Sequence, residues 1–406
     1  MATLRREHTR ALPWFVLPLA LFLTTRVVDA VLLMLAARHQ LPADQLPGGL
    51  VVPVVRDPVT YFNVIQNWDG QWFRSIAEHG YPRTLPTHDG VVIQNQWAFY
   101  PLFPFLVRAV MTVTTLSFGV AAGLLNLVVA STGMCVLFRM IARRADVFAG
   151  AMTVIVLSTF PSSVVFQAAY TESLTFLLVV VSLGLLERRR YGALLVSGLL
   201  LSVTRPVVLP LALAVGVHWL ARRRGRSREP FPRSDQVKVG ALAAAFVASF
   251  AIWPAIAWVT TGQSRAFLSS MDAWKSKDER TSGWISWVSQ SLSGHWTVLV
   301  LVVVAVSLQL FFLLRPQGRL WSLELRAWSI SYAAYLLVST RPQSSFFRHL
   351  LLAIVPWWPF PEAGQYVVSR RQQVALASLV AVLGFCVQYF WIRWFWVVSP
   401  HAVSFP

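Results

Sequence analysis

The feature that most limits what this chain can fold into is a succession of apolar runs, many of them about 20 residues long, the length of a membrane-spanning helix, separated by short clusters of arginine. Runs of that kind belong either to a large buried core or to a bilayer. Composition decides between the two. The 406 residues are 56% hydrophobic and only 13% charged, whereas a soluble chain carries about a quarter charged residues. The expected fold is therefore an all-α polytopic membrane protein. Read along the chain, the runs predict about eleven spans, at 14–36, 118–138, 147–165, 171–186, 191–203, 207–220, 239–259, 298–314, 321–338, 350–360 and 374–396.

The charge pattern sets an orientation. The net charge is +18, but the basic residues fall in clusters between spans: Arg5, Arg6 and Arg10; Arg139, Arg143 and Arg144; Arg188 to Arg190; Arg222 to Lys238; Arg315 and Arg319; Arg370 and Arg371. With the N-terminus inside, every one of these clusters is cytoplasmic, as the positive-inside rule requires. Acidic lipid headgroups, and not nucleic acid, are then the partner of that charge. The expected location is the plasma membrane, multi-pass, with a cytoplasmic N-terminus and the active site extracytoplasmic. The first apolar run lacks a small-residue cleavage signature and reads as a retained span. Cys135 and Cys386 sit inside separate runs, without metal-ligand spacing or a disulfide framework. No repeat of fixed period divides the chain, which reads as a single domain, 1–406. Its first extracytoplasmic segment is 37–117, with an amphipathic, proline-broken interfacial helix at 99–113. A second long outer segment, 261–297, carries Trp274, Trp284, Trp287 and Trp296 and reads as interfacial. Its run from Lys275 to Arg280 is most simply a solvated face.

The polar vocabulary concentrates in Asn67-Trp68-Asp69-Gly70-Gln71-Trp72-Phe73-Arg74-Ser75-Ile76-Ala77-Glu78-His79-Gly80-Tyr81-Pro82. A carboxylate between Trp68 and Gly70 lies against aromatic surface and backbone, a setting that suits a general base. The competing structural reading makes Asp69 the N-cap of a helix running 70–79. Glu78 and Asp57 are the rival bases; Glu78 lies about two and a half helical turns further on, on a different face. Arg26 and Asp29, three residues apart inside the first run, share a helix face. They read first as a buried ion pair beneath this loop, and second as a lipid-phosphate contact.

This Trp-Asp stretch with Ile76-Ala77-Glu78-His79-Gly80-Tyr81 resembles the first extracytoplasmic loop of PIG-V-like mannosyltransferases, GPI mannosyltransferase II-like enzymes of the GT-C superfamily. Later segments are similar too, in order: Phe99-Tyr100-Pro101-Leu102-Phe103-Pro104, then Phe160-Pro161-Ser162-Ser163 through Tyr170-Thr171-Glu172-Ser173, then Thr204-Arg205-Pro206. The resemblance runs from about Arg26 to Pro356, most of the chain, and implies a GT-C-type bundle in a bacterial homologue. It places the base on Asp69 and a donor-phosphate contact on Arg348; the residues themselves add Arg205, beside Pro206 where helix ends meet a cavity, and His349 as a further donor to the phosphate. A planar guanidinium pairs two phosphate oxygens at once, which independently favours arginine there. Trp68, Glu78, His79, Tyr170 and Glu172 are the candidate substrate contacts. Glu172 would bond sugar hydroxyls or position Arg205, although an acid in the first turn of a helix is also stabilised by the helix dipole. Arg341 reads as a headgroup anchor.

The implied reaction transfers mannose, with inversion, from polyprenyl-phosphate-mannose to a glycolipid or lipid-linked acceptor. The arginine- and alanine-rich composition is that of a high-GC bacterial protein, which favours a mannolipid or lipoglycan acceptor. No Gly-rich phosphate loop occurs, which argues against a nucleotide-sugar donor. No Asp-X-Asp pair occurs in the outer segments, so no metal or other cofactor is demanded, although scattered acids could still assemble a divalent-cation site. The alternatives are a GT-C transferase for another sugar or a protein acceptor, and a lipid or solute transporter. The latter class usually shows internal repeats with polar groups at mid-membrane in both halves.

Overall fold

Backbone polar groups that meet no water must pair within their own segment, and a helix does this without help from neighbours. The computed structural model of the protein describes residues 13–41, 59–274, 296–340, 344–354, 357–367 and 369–398, which are mostly helical. In chain order, α1 (Val16–Ala37), the short α2 (Tyr61–Val64) and α3 (Asp69–His79) come first. Two short strands follow, β1 (Thr87–His88) and β2 (Val91–Val92), paired antiparallel. Asp89 and Gly90 both take positive φ between them, the conformation that a tight hairpin turn requires. Then come α4 (Leu102–Thr114), α5 (Phe118–Ala142), α6 (Val147–Ser158), α7 (Glu172–Glu187), α8 (Tyr191–Ser202), α9 (Val208–Arg224), α10 (Arg233–Ser249), α11 (Ile252–Thr261) and α12 (Ala266–Asp272). The last helices are α13 (Trp296–Leu314), α14 (Leu323–Ser339), α15 (Ser344–Leu350), α16 (Ala363–Tyr366) and α17 (Arg370–Trp391), the last running into a π-helical turn at Ile392–Trp396.

Among the described residues, these stretches are long and apolar enough to cross a membrane: Val16–Ala37, Phe118–Ala142, Arg233–Thr261 and Arg370–Trp396. Several other apolar runs are shorter or broken, and the breaks have identifiable causes, whereas α13 continues unbroken over 19 residues. The run expected at 147–165 stops as an α-helix at Ser158, two residues before the Phe160-Pro161 step, since proline cannot continue an i→i−4 ladder and biases its predecessor away from helix. The span expected at 350–360 is not there. Its described residues form the end of α15 and a 3₁₀ turn, Leu351–Ala353, before Ile354 swings to positive φ, and from 358 to 360 they are not helical. The Lys275–Arg280 run, Trp284, Trp287, Asp57 and Arg341 lie outside the described residues.

Two packing centres hold the bundle. α5 lies along α7, and α9 lies along α10 and α14. The α5–α7 approach depends on Gly133, where a Cβ would sit 2.8 Å from Phe176 Cδ1. Phe176 is fully buried and has no free volume to retreat into. Gly133→Val is accordingly expected to destabilise by about 1–3 kcal/mol, the usual penalty of overpacking; an unchanged thermal midpoint in detergent would refute this account of the contact.

The breaks matter because they aim side chains. Between α8 and α9 the chain turns at Thr204-Arg205-Pro206. Val203, at the end of α8, offers its carbonyl to the Leu102 N–H at the start of α4 (3.1 Å), and Thr204 Oγ1 donates back to Leu200 O (2.7 Å). After α6 the break is held by Arg26 and Asp29 of α1, a buried pair 2.6 Å apart. Arg26 donates to Ser163 O at 2.7 Å and to Ser158 O, while Gln388 Nε2 donates to Ser163 Oγ (2.9 Å). This is the ion pair that the sequence placed beneath the loop, and its partners are the carbonyls that the broken helix leaves over. From the same break Ser162 Oγ donates to Phe347 O (3.1 Å), which ties α15 to it one residue before Arg348.

Candidate active site

Asp69 is the first residue of α3, and the residue at the N-cap position is Trp68, whose side chain makes no cap hydrogen bond. The N-cap reading of Asp69 therefore does not describe this helix. Trp68 holds φ 59 and ψ −119, a left-handed setting that a bulky residue rarely adopts, with a strain of about 1–3 kcal/mol. Its surroundings enforce it. Trp68 Nε1 donates to Trp396 O (2.8 Å), Trp396 Nε1 returns to Val64 O (3.0 Å), and Asn67 Nδ2 donates to Gln40 Oε1 (2.8 Å). Trp68 is thus an anchor driven into the core, and the kink it makes turns Asp69 the other way.

Tyr170 fixes the turn from below. Its hydroxyl donates to Asn67 O (2.9 Å) and accepts from the Asp69 N–H (3.1 Å). The ring is fully buried and lies under the Arg348 guanidinium, 4.9 Å from its centroid. Burial, with the Asp69 carboxylate close by, pushes the Tyr170 phenol well above its ordinary pKa, so it acts as a neutral donor at any physiological pH. Arg348 Nη1 contacts Asp69 Oδ2 at 2.7 Å, and its Nε lies 3.1 Å from Glu172 Oε1. Glu172, in the first turn of α7 and fully buried, also pairs with Arg205. The result is a chain of alternating charge, Arg205–Glu172–Arg348–Asp69. Burial alone would pull the Arg348 pKa down, but Asp69 and Glu172 reverse this and leave it above the usual arginine value. Arg348 is a permanent cation.

These residues face one cavity of about 350 Å³, within the range of small-molecule sites, about 300–1,000 Å³. Asp69, Tyr170, Glu172, Arg205, Arg348 and His349 all line it. His349 is held well below the usual histidine pKa by burial and by the neighbouring Arg205 and Arg348, so it offers the cavity a neutral imidazole. The remaining sequence candidates point elsewhere. Trp68 is the anchor described above. Glu78 pairs with Arg74 on its own helix at 2.6 Å, and His79 is exposed at the end of α3. None of the three lines the cavity.

The cavity is also lined by apolar and aromatic side chains, among them Phe73, Phe99, Tyr100, Phe267, Met271 and Trp274. Trp72 stacks on Phe99 at 5.9 Å and meets Trp274 edge-on at 5.5 Å, which joins α3 to the end of α12. A side that the sequence reading missed is α14, which contributes Tyr332 and Tyr335. Trp328, Tyr332 and Tyr335 are spaced four and three residues apart, so one helix face carries them as a ladder. That periodicity was the available signal. Tyr332 Oη donates to His349 O (2.9 Å) and so clamps α15 from the far side. Among the described residues no group of three His, Cys, Asp or Glu side chains is placed to hold a metal ion. The carboxylates of Asp69 and Glu172 are both already facing guanidinium.

No family model matches the sequence, and no curated protein matches it. Among solved structures, the chain is similar to the oligosaccharyltransferase of Archaeoglobus fulgidus. In the crystal structure of its complex with Zn and sulfate the identity is 10% and the TM-score 0.43, over 93% of this chain and 53% of that one. In the complex of the same organism's AglB with an inhibitory peptide and a dolichol-phosphate they are 10% and 0.39, over 95% and 56%. The chain thus spans about half the length of the structures it resembles.

Proposed function

We propose that this chain is a multi-pass membrane glycosyltransferase that moves a sugar from a polyprenyl phosphate to a hydroxyl of a glycolipid or lipid-linked acceptor. The observation that carries the reading is the Arg205–Glu172–Arg348–Asp69 chain on one cavity that aromatic rings also line. Two guanidiniums suit a phosphate, a partly exposed carboxylate suits a hydroxyl proton, and flat apolar rings suit a prenyl chain or a sugar face. The choice of mannose, the inverting course and the PIG-V-like subfamily come from the resemblance of the motifs at 67–82, 99–104, 160–173 and 204–206. The arginine clusters at 139–144, 188–190 and 222–238 support a cytoplasmic N-terminus, and so a cavity on the outer side of the plasma membrane.

The chemistry follows from the placement. The acceptor oxygen attacks the anomeric carbon from the face opposite the phosphate, and its proton passes to the Asp69 carboxylate. The bond from that carbon to the phosphate oxygen breaks, and its electron pair leaves on the phosphate, through an oxocarbenium-like state. Arg348 and Arg205 neutralise the departing charge from positions already fixed before reaction, which is where electrostatic stabilisation is most effective. His349, being neutral, adds at most a hydrogen bond.

Purified protein in nanodiscs, given polyprenyl-phosphate-mannose and a membrane glycolipid extract, is expected to release polyprenyl phosphate in step with glycolipid mannosylation. Movement of sugar across the bilayer without that release would identify a transporter and overturn the proposal. Glu78→Gln, which touches only the outside of α3, is expected to change turnover by less than about twofold, as for an exposed helix pair; a hundredfold loss would transfer the base role to Glu78.

A further inference from the structure

The four ionised side chains of the cavity sum to zero charge and alternate in sign, with Arg348 held between two carboxylates. A phosphate ester entering this site brings negative charge that only the guanidiniums can face. Arg348 is already approached on three sides. Its Nε lies against Glu172, its face rests on the Tyr170 ring, and its Nη1 is on Asp69. That leaves the Nη edge for a ligand, and Asp69 holds it. The two carboxylates are not equivalent in their freedom to leave. The Glu172 side chain is 1% exposed and shared with Arg205, whereas that of Asp69 is 26% exposed and, among the described residues, is held by its contact with Arg348 and its place at the start of α3.

Resting on the reading of the cavity as a phosphate-donor site, we infer that the donor phosphate and Asp69 exchange places on Arg348 Nη1, so that the base is held in an ion pair until the donor has bound. The exchange would leave Asp69 beside the sugar with its compensating cation removed. Freed from Arg348, the partly exposed carboxylate can turn to accept the hydrogen bond of an incoming hydroxyl, and it does so only when there is something to react with. Proton uptake is thereby tied to donor arrival, and the order of binding is donor before acceptor activation. Glu172 is the positioning residue in this scheme. It keeps both guanidiniums in place while one partner is replaced by another.

The test compares the affinity of the full-length protein, in nanodiscs, for a long-chain polyprenyl monophosphate. Exchange predicts that Asp69→Asn binds the probe about fivefold more tightly, because a competing ion pair of partly exposed type is removed. Glu172→Gln removes the same unit of negative charge from the same cavity, yet is expected to bind about tenfold more weakly, since the arginines lose their support. A general field effect would make both variants bind more tightly, and that result overturns the inference. So does an Asp69→Asn affinity equal to or weaker than wild type. If Glu172→Gln does not fold, Glu172→Asp serves; it keeps the charge and shortens the reach, and weaker binding there cannot come from the field. Arg348→Ala separates the two levels of the argument. Binding that survives it unchanged would refute the phosphate site itself, while loss of binding there with no gain in Asp69→Asn would refute the exchange alone.

Discussion

Asp69→Asn is expected to lower turnover at saturating donor by about 10²–10⁴-fold, the range that a positioned general base supplies. The substitution keeps the shape and nearly the volume of the side chain. It occurs at a position that is 26% exposed, and the backbone bond from Asp69 N to Tyr170 Oη at 3.1 Å does not involve the carboxylate. Folding and membrane insertion are therefore expected to be unaffected, with a thermal midpoint close to wild type. The kinetic signature separates a base from a structural acid. Loss of a group that acts only in the transition state lowers kcat without weakening substrate binding. A structural role would instead appear as a lower midpoint or a raised KM for the donor with kcat retained. Turnover within tenfold of wild type would remove Asp69 from the mechanism.

Why was this acid legible in the sequence, when other parts of the cavity were not? The residues gathered around the cavity share one property: each is a charged or hydrogen-bonding group next to a break in an apolar run. Asp69 follows Trp68, Glu172 opens α7 after Phe160-Pro161, and Arg205 precedes Pro206. An ionisable group in that setting is expensive to bury without a partner, so its presence is informative by itself. Glu78 and His79 shared the same dense vocabulary, but periodicity alone could not show that α3 would roll them away from the cavity, with Glu78 turned to Arg74. The rotation of α3 is set by long-range contacts. Trp68 reaches the carbonyl of Trp396, more than three hundred residues away in sequence, and no local pattern encodes that. Tyr332 and Tyr335 escaped notice for the opposite reason, since aromatics on an apolar helix read as ordinary packing.

Span counting failed where length and hydrophobicity were taken as sufficient. The residues at 350–360 are apolar enough, but they include Pro356 and Pro359 and adjoin Pro361, and backbone without N–H groups cannot sustain a helical ladder. The same run shows what such a break is for. α15 ends early, and Tyr332 and Ser162 grip its carbonyls at His349 and Phe347 from two sides. Arg348 lies between the grips. A continuous helix at this point would place the guanidinium by its own phase. A clamped short one places it by its neighbours.

That dependence makes Arg26 the position where substitution is expected to hurt stability most, by about 3–5 kcal/mol for Arg26→Leu, as when one partner of a buried ion pair is removed. Arg26 is 4% exposed and Asp29 is 0% exposed, so deletion of the guanidinium leaves a carboxylate with no solvent and no counter-charge. It also strips Ser163 O of its Arg26 donor at 2.7 Å, a further loss of about 1–3 kcal/mol for a buried acceptor, while Ser158 O loses one donor and keeps Ser163 Oγ at 2.7 Å. Asp29→Leu is expected to be nearly as harmful, since a buried cation then lacks its partner. The double variant Arg26→Leu/Asp29→Leu removes both charges, and should recover part but not all of the loss, because the carbonyls of Ser158 and Ser163 still lack their Arg26 donors. Chemical or thermal unfolding in detergent measures all three. A double variant less stable than either single one, or an Arg26→Leu variant within about 1 kcal/mol of wild type, would mean that the pair does not hold the break. Because Ser162 passes the position of that break on to Phe347, the surviving fraction of Arg26→Leu is also expected to bind a polyprenyl phosphate less well. The loss is expected although Arg26 does not line the cavity: the ion pair in α1 and the guanidinium in α15 form one mechanical unit, through three hydrogen-bonded residues of an interrupted helix.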